Sequence, residues 1–153
     1  MVETENRGCY TVCVFQDTVW AGRGLEALRQ KGFEDGVISV LSKQSAESME
    51  LFQELFDFVP SPLEVNGLGN VMAHGRLIEE LQGTDDGLGR TGVAATIRRV
   101  GFQPHDGFIF QTLTERGGVL VAVESESRAA DALALFHSYG GGNAAIGAWT
   151  GRV

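Results

Sequence analysis

Tyr10-Thr11-Val12-Cys13-Val14-Phe15 and, far downstream, Val119-Leu120-Val121-Ala122-Val123-Glu124 are the two stretches that decide the fold. Each is rich in β-branched and aromatic residues and too short for a helix, which predicts a buried strand. Alternation along the first puts Val12 and Val14 on one face and Cys13 and Phe15 on the other. Both faces are therefore apolar.

Working outward, Asp17 or Thr18 caps a helix running to about Lys31, with Ala21, Leu25 and Leu28 on one face and Gly32 just past its end. Val37 to Leu41 reads as a second strand. A helix over Ser45 to Phe58 follows, with Glu47 and Glu50 near its N-terminus and Met49, Phe52, Leu55, Phe56 and Val59 as its apolar side. Pro60-Ser61-Pro62 stops it. After the Val119 strand, Ser125 caps a helix with Glu126 in its first turn and Ala130, Leu133, Ala134 and His137 as its stripe. Gly140-Gly141-Gly142 ends that helix, and Ala144 to Trp149 makes a last strand. The two ends look like one pattern used twice, Val12 and Val14 echoed by Val119 and Val121, Gly32 and Ile38 by Gly140 and Ile146.

Between them, glycines interrupt every periodicity over residues 63–92, save a short helical turn at Leu77 to Leu81. Residues 60–100 are expected to be a glycine-rich insertion, with Val93 to Val100 helical. Pro104 then opens a helix at its first position, carrying Phe108, Ile109, Phe110 and Leu113 and ending at Gly117-Gly118. The expected fold is a single α/β (α+β) domain over residues 8–153, ferredoxin-like, with two β-α-β halves forming a four-stranded, mainly antiparallel sheet. A doubly wound parallel sheet would need more strands than the sequence offers.

These features resemble a bacterial family, the general stress protein 17M-like proteins or heat-induced stress protein YflT group. Val14-Phe15-x-Asp17 with Ala21 and Leu28, Gly32-Phe33 before Ile38 to Leu41, Gly101-Phe102-x-Pro104, Phe110, Leu113, and Gly117-Gly118 before Val119-x-Val121-x-Val123 carry the likeness, over residues 10–42 and 101–149. The resemblance implies a fold and a stress-linked context, and no reaction. Members commonly have a nearly membrane-like middle, whereas here that region bears Arg76, Glu79, Glu80, Asp85, Asp86 and Arg90, so membrane contact does not carry over.

The 153 residues are 43% hydrophobic, enough for a core, and the net charge is −8, which repels phosphate backbones. Nucleic acid is not expected as a partner. No run is long enough for an integral membrane segment, and the acidic, polar Met1 to Arg7 is unlike a secretory signal. Two cysteines are too few for a disulfide scaffold, which points to a reducing cytoplasm.

Gly87-Leu88-Gly89-Arg90-Thr91-Gly92 satisfies the dinucleotide pattern G-x-G-x-x-G, but Gln82 to Asp86 before it is no buried strand. The same string resembles the end of a protein-phosphatase loop, yet Thr84 stands where the nucleophilic cysteine would be. What survives is an anion site at Gly87, Gly89, Arg90, Arg98 and Arg99. Cys9 and Cys13, roughly 13 Å apart on an extended strand, cannot share an ion, and His74, His105 and His137 lack paired spacing, so neither metal nor cofactor is expected. His137 reads as a packed core histidine. Trp20 and Trp149 read as packing residues.

Helices on one side of a sheet leave its other apolar face bare, which predicts a homo-oligomer, most simply a C2 dimer, with Phe15, Phe108 and Phe110 at the contact. The alternative cover is the chain's own residues 45–100. The first functional reading is a non-enzymatic stress-associated or regulatory protein acting by self-association or through a protein partner. The second is a small-ligand or anion sensor with glycine turns at helix ends. The third is an enzyme of unknown reaction using Arg90, Arg98 or His105.

Overall fold

The computed structural model describes residues 9–56 and 60–148. Strand β1 (Tyr10–Phe15) leads to helix α1 (Thr18–Gln30), a 3-10 turn (Asp35–Val37) and β2 (Ile38–Lys43), then α2 (Ala46–Leu55) and a hairpin of β3 (Ser61–Val65) and β4 (Gly69–His74). Short helices α3 (Arg76–Gln82), α4 (Gly87–Thr91) and α5 (Val93–Thr96) follow, with a 3-10 turn (Ile97–Val100), before α6 (Pro104–Glu115), β5 (Val119–Glu124), α7 (Ala129–Ser138) and β6 (Gly142–Ile146).

The strands form one sheet in the order β3-β4-β2-β5-β1-β6, antiparallel at every pairing. The fold is α/β in content with a mixed α+β layout. The expected count of four strands is corrected to six among the described residues, and the parallel alternative is excluded by the pairings. The error lies at the hairpin. Pro62 was expected to end structure, but β3 is an edge strand, where a residue without an N–H costs no ladder bond. Asn66-Gly67-Leu68 makes its turn, with Gly67 at φ +88° and the Leu68 N–H donating to the Val65 carbonyl at 2.9 Å. The unit β1-α1-β2 encloses β5 and the unit β5-α7-β6 encloses β1, so the two halves interleave.

Two cores result. Cys13 and Phe15, Ile38 and Val40, and Val119, Val121 and Val123 pack against Leu25 and Leu28 of α1, Phe52 of α2 and Phe136 of α7. Val12, Val14, Leu41, Leu120 and Ala122 pack on the opposite side against Leu77, Leu81, Leu88, Ile97, Phe102 and Phe110. The second face is thus covered by the chain's own residues 76–115. Phe15 and Phe110 are fully buried in these cores and present nothing to a second copy. Of the three residues expected at a subunit contact, only Phe108 is exposed, at 67%.

Asp17 caps α1 by accepting from the Trp20 N–H at 2.9 Å, and Ser45 and Ser48 close a capping box on α2. Helix α7 starts later than expected. Ser125 accepts from the Arg128 N–H at 3.1 Å, and the helix proper begins at Ala129. Its buried side is Ala129, Ala132, Leu135 and Phe136, not the stripe through Ala130, Leu133, Ala134 and His137, and His137 is exposed. The last strand ends at Ile146, and Trp149, like Phe58 and Val59, lies outside the described residues.

A buried polar group closes one end of the sheet. The Tyr10 hydroxyl donates to Glu80 Oε2 at 2.6 Å, and Arg76 reaches Glu80 at 4.0 Å and Glu124 at 3.7 Å. Burial, then the bond to Glu80, pushes the Tyr10 hydroxyl well above the usual tyrosine range.

Glycine tests the packing of α1 on the sheet. A Cβ at Gly24 would collide with the Phe15 ring, whereas one at Gly22 would meet only the Leu51 Cδ1 at 3.2 Å. Gly24→Ala is expected to lower stability by about 1–3 kcal/mol through overpacking. Gly22→Ala should be neutral or gain up to about 1 kcal/mol of helix propensity. Urea midpoints of the two variants check this, and equal midpoints would mean that α1 does not lie on Phe15.

Candidate functional site

Helix α1 ends in a tight turn. Gly32 takes φ +91°, its N–H donates to the Arg29 carbonyl at 3.0 Å, and the Phe33 N–H reaches back to Leu28 at 3.0 Å. Only a residue without Cβ strain takes that conformation readily. The turn lays the buried Phe33 ring under the start of α7, where the Arg128 guanidinium carbon sits 4.0 Å from the ring centroid. Arg128 Nε also faces Asp131 Oδ2 at 3.4 Å. Between α1 and α7 runs an open groove of about 590 Å³, floored by Ala27, Phe33 and Leu135 and edged by Lys31, Arg128, Asp131 and Tyr139. Lys31 has no ion-pair partner among the described residues. The volume falls in the range of small-molecule sites.

The residues expected to form an anion site have another occupation. Gly87, Gly89 and Arg90 lie in or beside helix α4, not on a loop after a strand. Arg99 grips Asp85 with two bonds, Nη1 to Oδ1 at 3.1 Å and Nη2 to Oδ2 at 2.9 Å, and donates from Nη1 to the Leu81 carbonyl at 2.8 Å. Arg90 Nε donates to the Asp85 carbonyl at 2.8 Å. The N–H groups a phosphate would need are spent as well, Gly87 on Asp85 Oδ1 at 3.2 Å and Gly89 on Gln82 Oε1 at 2.8 Å. The glycines make room for the arginine: a Cβ at Gly83 or Gly87 would stand 2.7 or 2.6 Å from its guanidinium. Arg98 is exposed and takes no part in this cluster, and His105 is exposed in the first turn of α6.

Elsewhere the chemistry is muted. Both cysteines are free and buried, and burial pushes their thiols up, away from the thiolate a nucleophile needs. Burial lowers the His74 imidazole, beside a smaller cavity of about 280 Å³ that Arg76 and Glu79 also line. Among the described residues, no group of three or more histidine, cysteine or acidic side chains is placed to hold a metal, and no helix is long and apolar enough to cross a membrane.

Of the groove's residues, the sequence marks Lys31 as a helix end, Phe33 as part of the Gly32 turn after it and Ala134 as part of a helix stripe, none of them as a site. They come from two distant segments, 27–33 and 128–139, and no spacing rule links them. Compared with protein-family models, with curated proteins and with solved structures, the chain finds no match.

The Arg99 guanidinium holds the Asp85 carboxyl below the ordinary aspartate range. A depressed folded value favours the folded state above the unfolded value and loses that contribution as pH falls through the folded one. Asp85→Asn should therefore unfold at lower urea than the wild type near neutrality, and the difference should shrink as pH falls through the depressed folded value and the wild-type carboxyl takes up its proton. A gap in urea midpoint that persists unchanged in acid would show that Asp85 acts other than through its charge.

Proposed function

We propose that the chain is a non-enzymatic regulatory domain that works by binding a small anionic ligand in the groove between α1 and α7. The carrying observation is the convergence of Lys31 and the ring-stacked Arg128 over an apolar floor, a few fixed polar groups on a concave apolar surface being the usual make-up of a ligand site. In this reading the strands β2-β5-β1-β6 with α1 and α7 are a ferredoxin-like unit extended by the hairpin β3-β4, and the Gly32 turn at the helix end serves the ligand. The stress-linked context and the cytoplasmic setting that the sequence suggests belong to the same proposal, and the free cysteines accord with a reducing compartment.

A thermal-shift panel of nucleotides, amino acids, organic acids and metals tests it. One anionic compound is expected to raise the melting temperature by several degrees through mass-action linkage. The exposed Ala134 lines the groove, and Ala134→Trp should fill it, leaving folding intact and removing the shift. A shift that survives Ala134→Trp places the ligand elsewhere and overturns the reading.

Self-association is the second reading, and it rests on Phe108, a large ring left exposed on the outer side of α6. Light scattering at micromolar concentration should then give twice the chain mass of 16.4 kDa, reverting to one in Phe108→Ser. A strictly monomeric wild type ends this reading.

A further inference from the structure

The groove is not uniform along its length. Its two cations come from the end where α1 finishes and α7 begins, Lys31 as the C-cap of α1 and Arg128 as the N-cap of α7. Arg128 lies against the Phe33 ring and faces Asp131 through Nε, and among the described residues its terminal N–H groups make no hydrogen bond, which leaves a fork that suits a carboxylate. The Gly32 turn lies beside that fork, a Cβ there standing 3.8 Å from Arg128 Nη1, in ordinary van der Waals contact. Lys31 adds a second, unpaired charge. With Asp131 counted, this end carries one net positive charge, matching a single anionic group. Farther along, the lining is Ala27, Ala134 and Leu135 with Gln30 beside them, closing with Ser138 and Tyr139. From Arg128 to Ser138 the helix rises about 15 Å. A nucleotide would place several negative charges near Asp131 and its sugar against alanine and leucine.

We infer that the ligand is an organic carboxylate with an extended apolar body, of the fatty-acid or arylalkanoic-acid type, its head group between Lys31 and Arg128. The inference rests on the ligand-binding reading of this groove and gives it a chemical class. An apolar body buried along Ala27 and Leu135 contributes roughly 25 cal/mol per Å² removed from water, and the charge-assisted bonds select the head group.

The test uses the full chain, isotope-labelled, with decanoate below its micelle concentration and phenylbutyrate as probes, and decanol, inorganic phosphate and ATP as controls. The acids are expected to shift the amide signals of Lys31, Gly32, Phe33, Arg128 and Leu135. Arg128→Met and Lys31→Met should each weaken binding about tenfold or more, the loss of a charge-assisted bond. Decanoate against phenylbutyrate separates an alkyl from an aryl body. Decanol binding as tightly as decanoate, or unchanged affinity in Arg128→Met, overturns the carboxylate class. So does a phosphate or ATP response at these amides with none from the acids, an outcome that leaves ligand binding itself standing. If no probe moves these amides, both the class and the ligand reading fall.

Discussion

The structure depends on a sheet in which two adjacent inner strands, β1 and β5, are buried on both sides. Every residue of β1 and β5 is buried, so alternation along each strand feeds two cores rather than one. An antiparallel sheet commonly leaves one face to water, and this one has none to spare at its centre. Helices are therefore required on both sides, and the region between the halves supplies the second layer. With both faces apolar, alternation cannot by itself set the register of β1 against β5, because a slip by one residue exchanges Val12 and Val14 for Cys13 and Phe15. The polar end does it. Tyr10 is paired with Glu124 in the ladder, and both meet α3, Tyr10 at Glu80 and Glu124 at Arg76. A slipped register would leave buried polar groups without those partners, a cost of about 1–3 kcal/mol for each neutral group and more for a charged one.

How much of this the sequence disclosed follows from how locally each element is determined. The strands β1, β2 and β5 and helix α1 were legible because their own residues decide them, β-branched runs bounded by Asp17 and Gly32. The hairpin β3-β4 was hidden by Pro62 and by glycines that masked the alternation of Leu63, Val65 and Val71, although Asn66-Gly67 is a strong hairpin signal. Helix α7 was found but turned to the wrong face. Ala129 to Phe136 is apolar nearly all round, so periodicity cannot choose a side, and the sheet chose Ala132, Leu135 and Phe136. The groove was illegible for a different reason, since its cations come from the ends of two helices that only the interleaved β-α-β crossovers bring together.

The glycine pattern shows the same divide. Read locally, Gly87-x-Gly89-x-x-Gly92 is a phosphate loop. In the fold, the buried Gly87 and the more open Gly83 clear a slot for Arg99, whose side chain ties α3 to the Asp85 turn through Leu81 and the carboxylate. The motif's glycines do allow close approach, as the pattern implies, but what approaches is the protein's own cation. The carboxylate of Asp85, ahead of the glycines, is what fills the place of the anion.

The charge balance then says where an anion can still be recognised. The chain carries −8 overall, so its long-range field opposes anionic ligands and gives no steering. At physiological ionic strength that field decays within about 8 Å, which leaves selection to groups in direct contact. Arg90 and Arg99 are neutralised by Asp85, Arg76 by Glu80 and Glu124, Arg29 by Asp35 and Lys43 by Glu115. Among the described residues Lys31, like Arg23, Arg98 and Arg116, has no ion-pair partner, but it alone of these lines the groove, where Arg128 shares Asp131 only through Nε. Next to an apolar floor, where water screens less than on open surface, that local excess is what the anionic group of the proposed ligand would meet, and the acidic remainder of the surface would oppose larger polyanions.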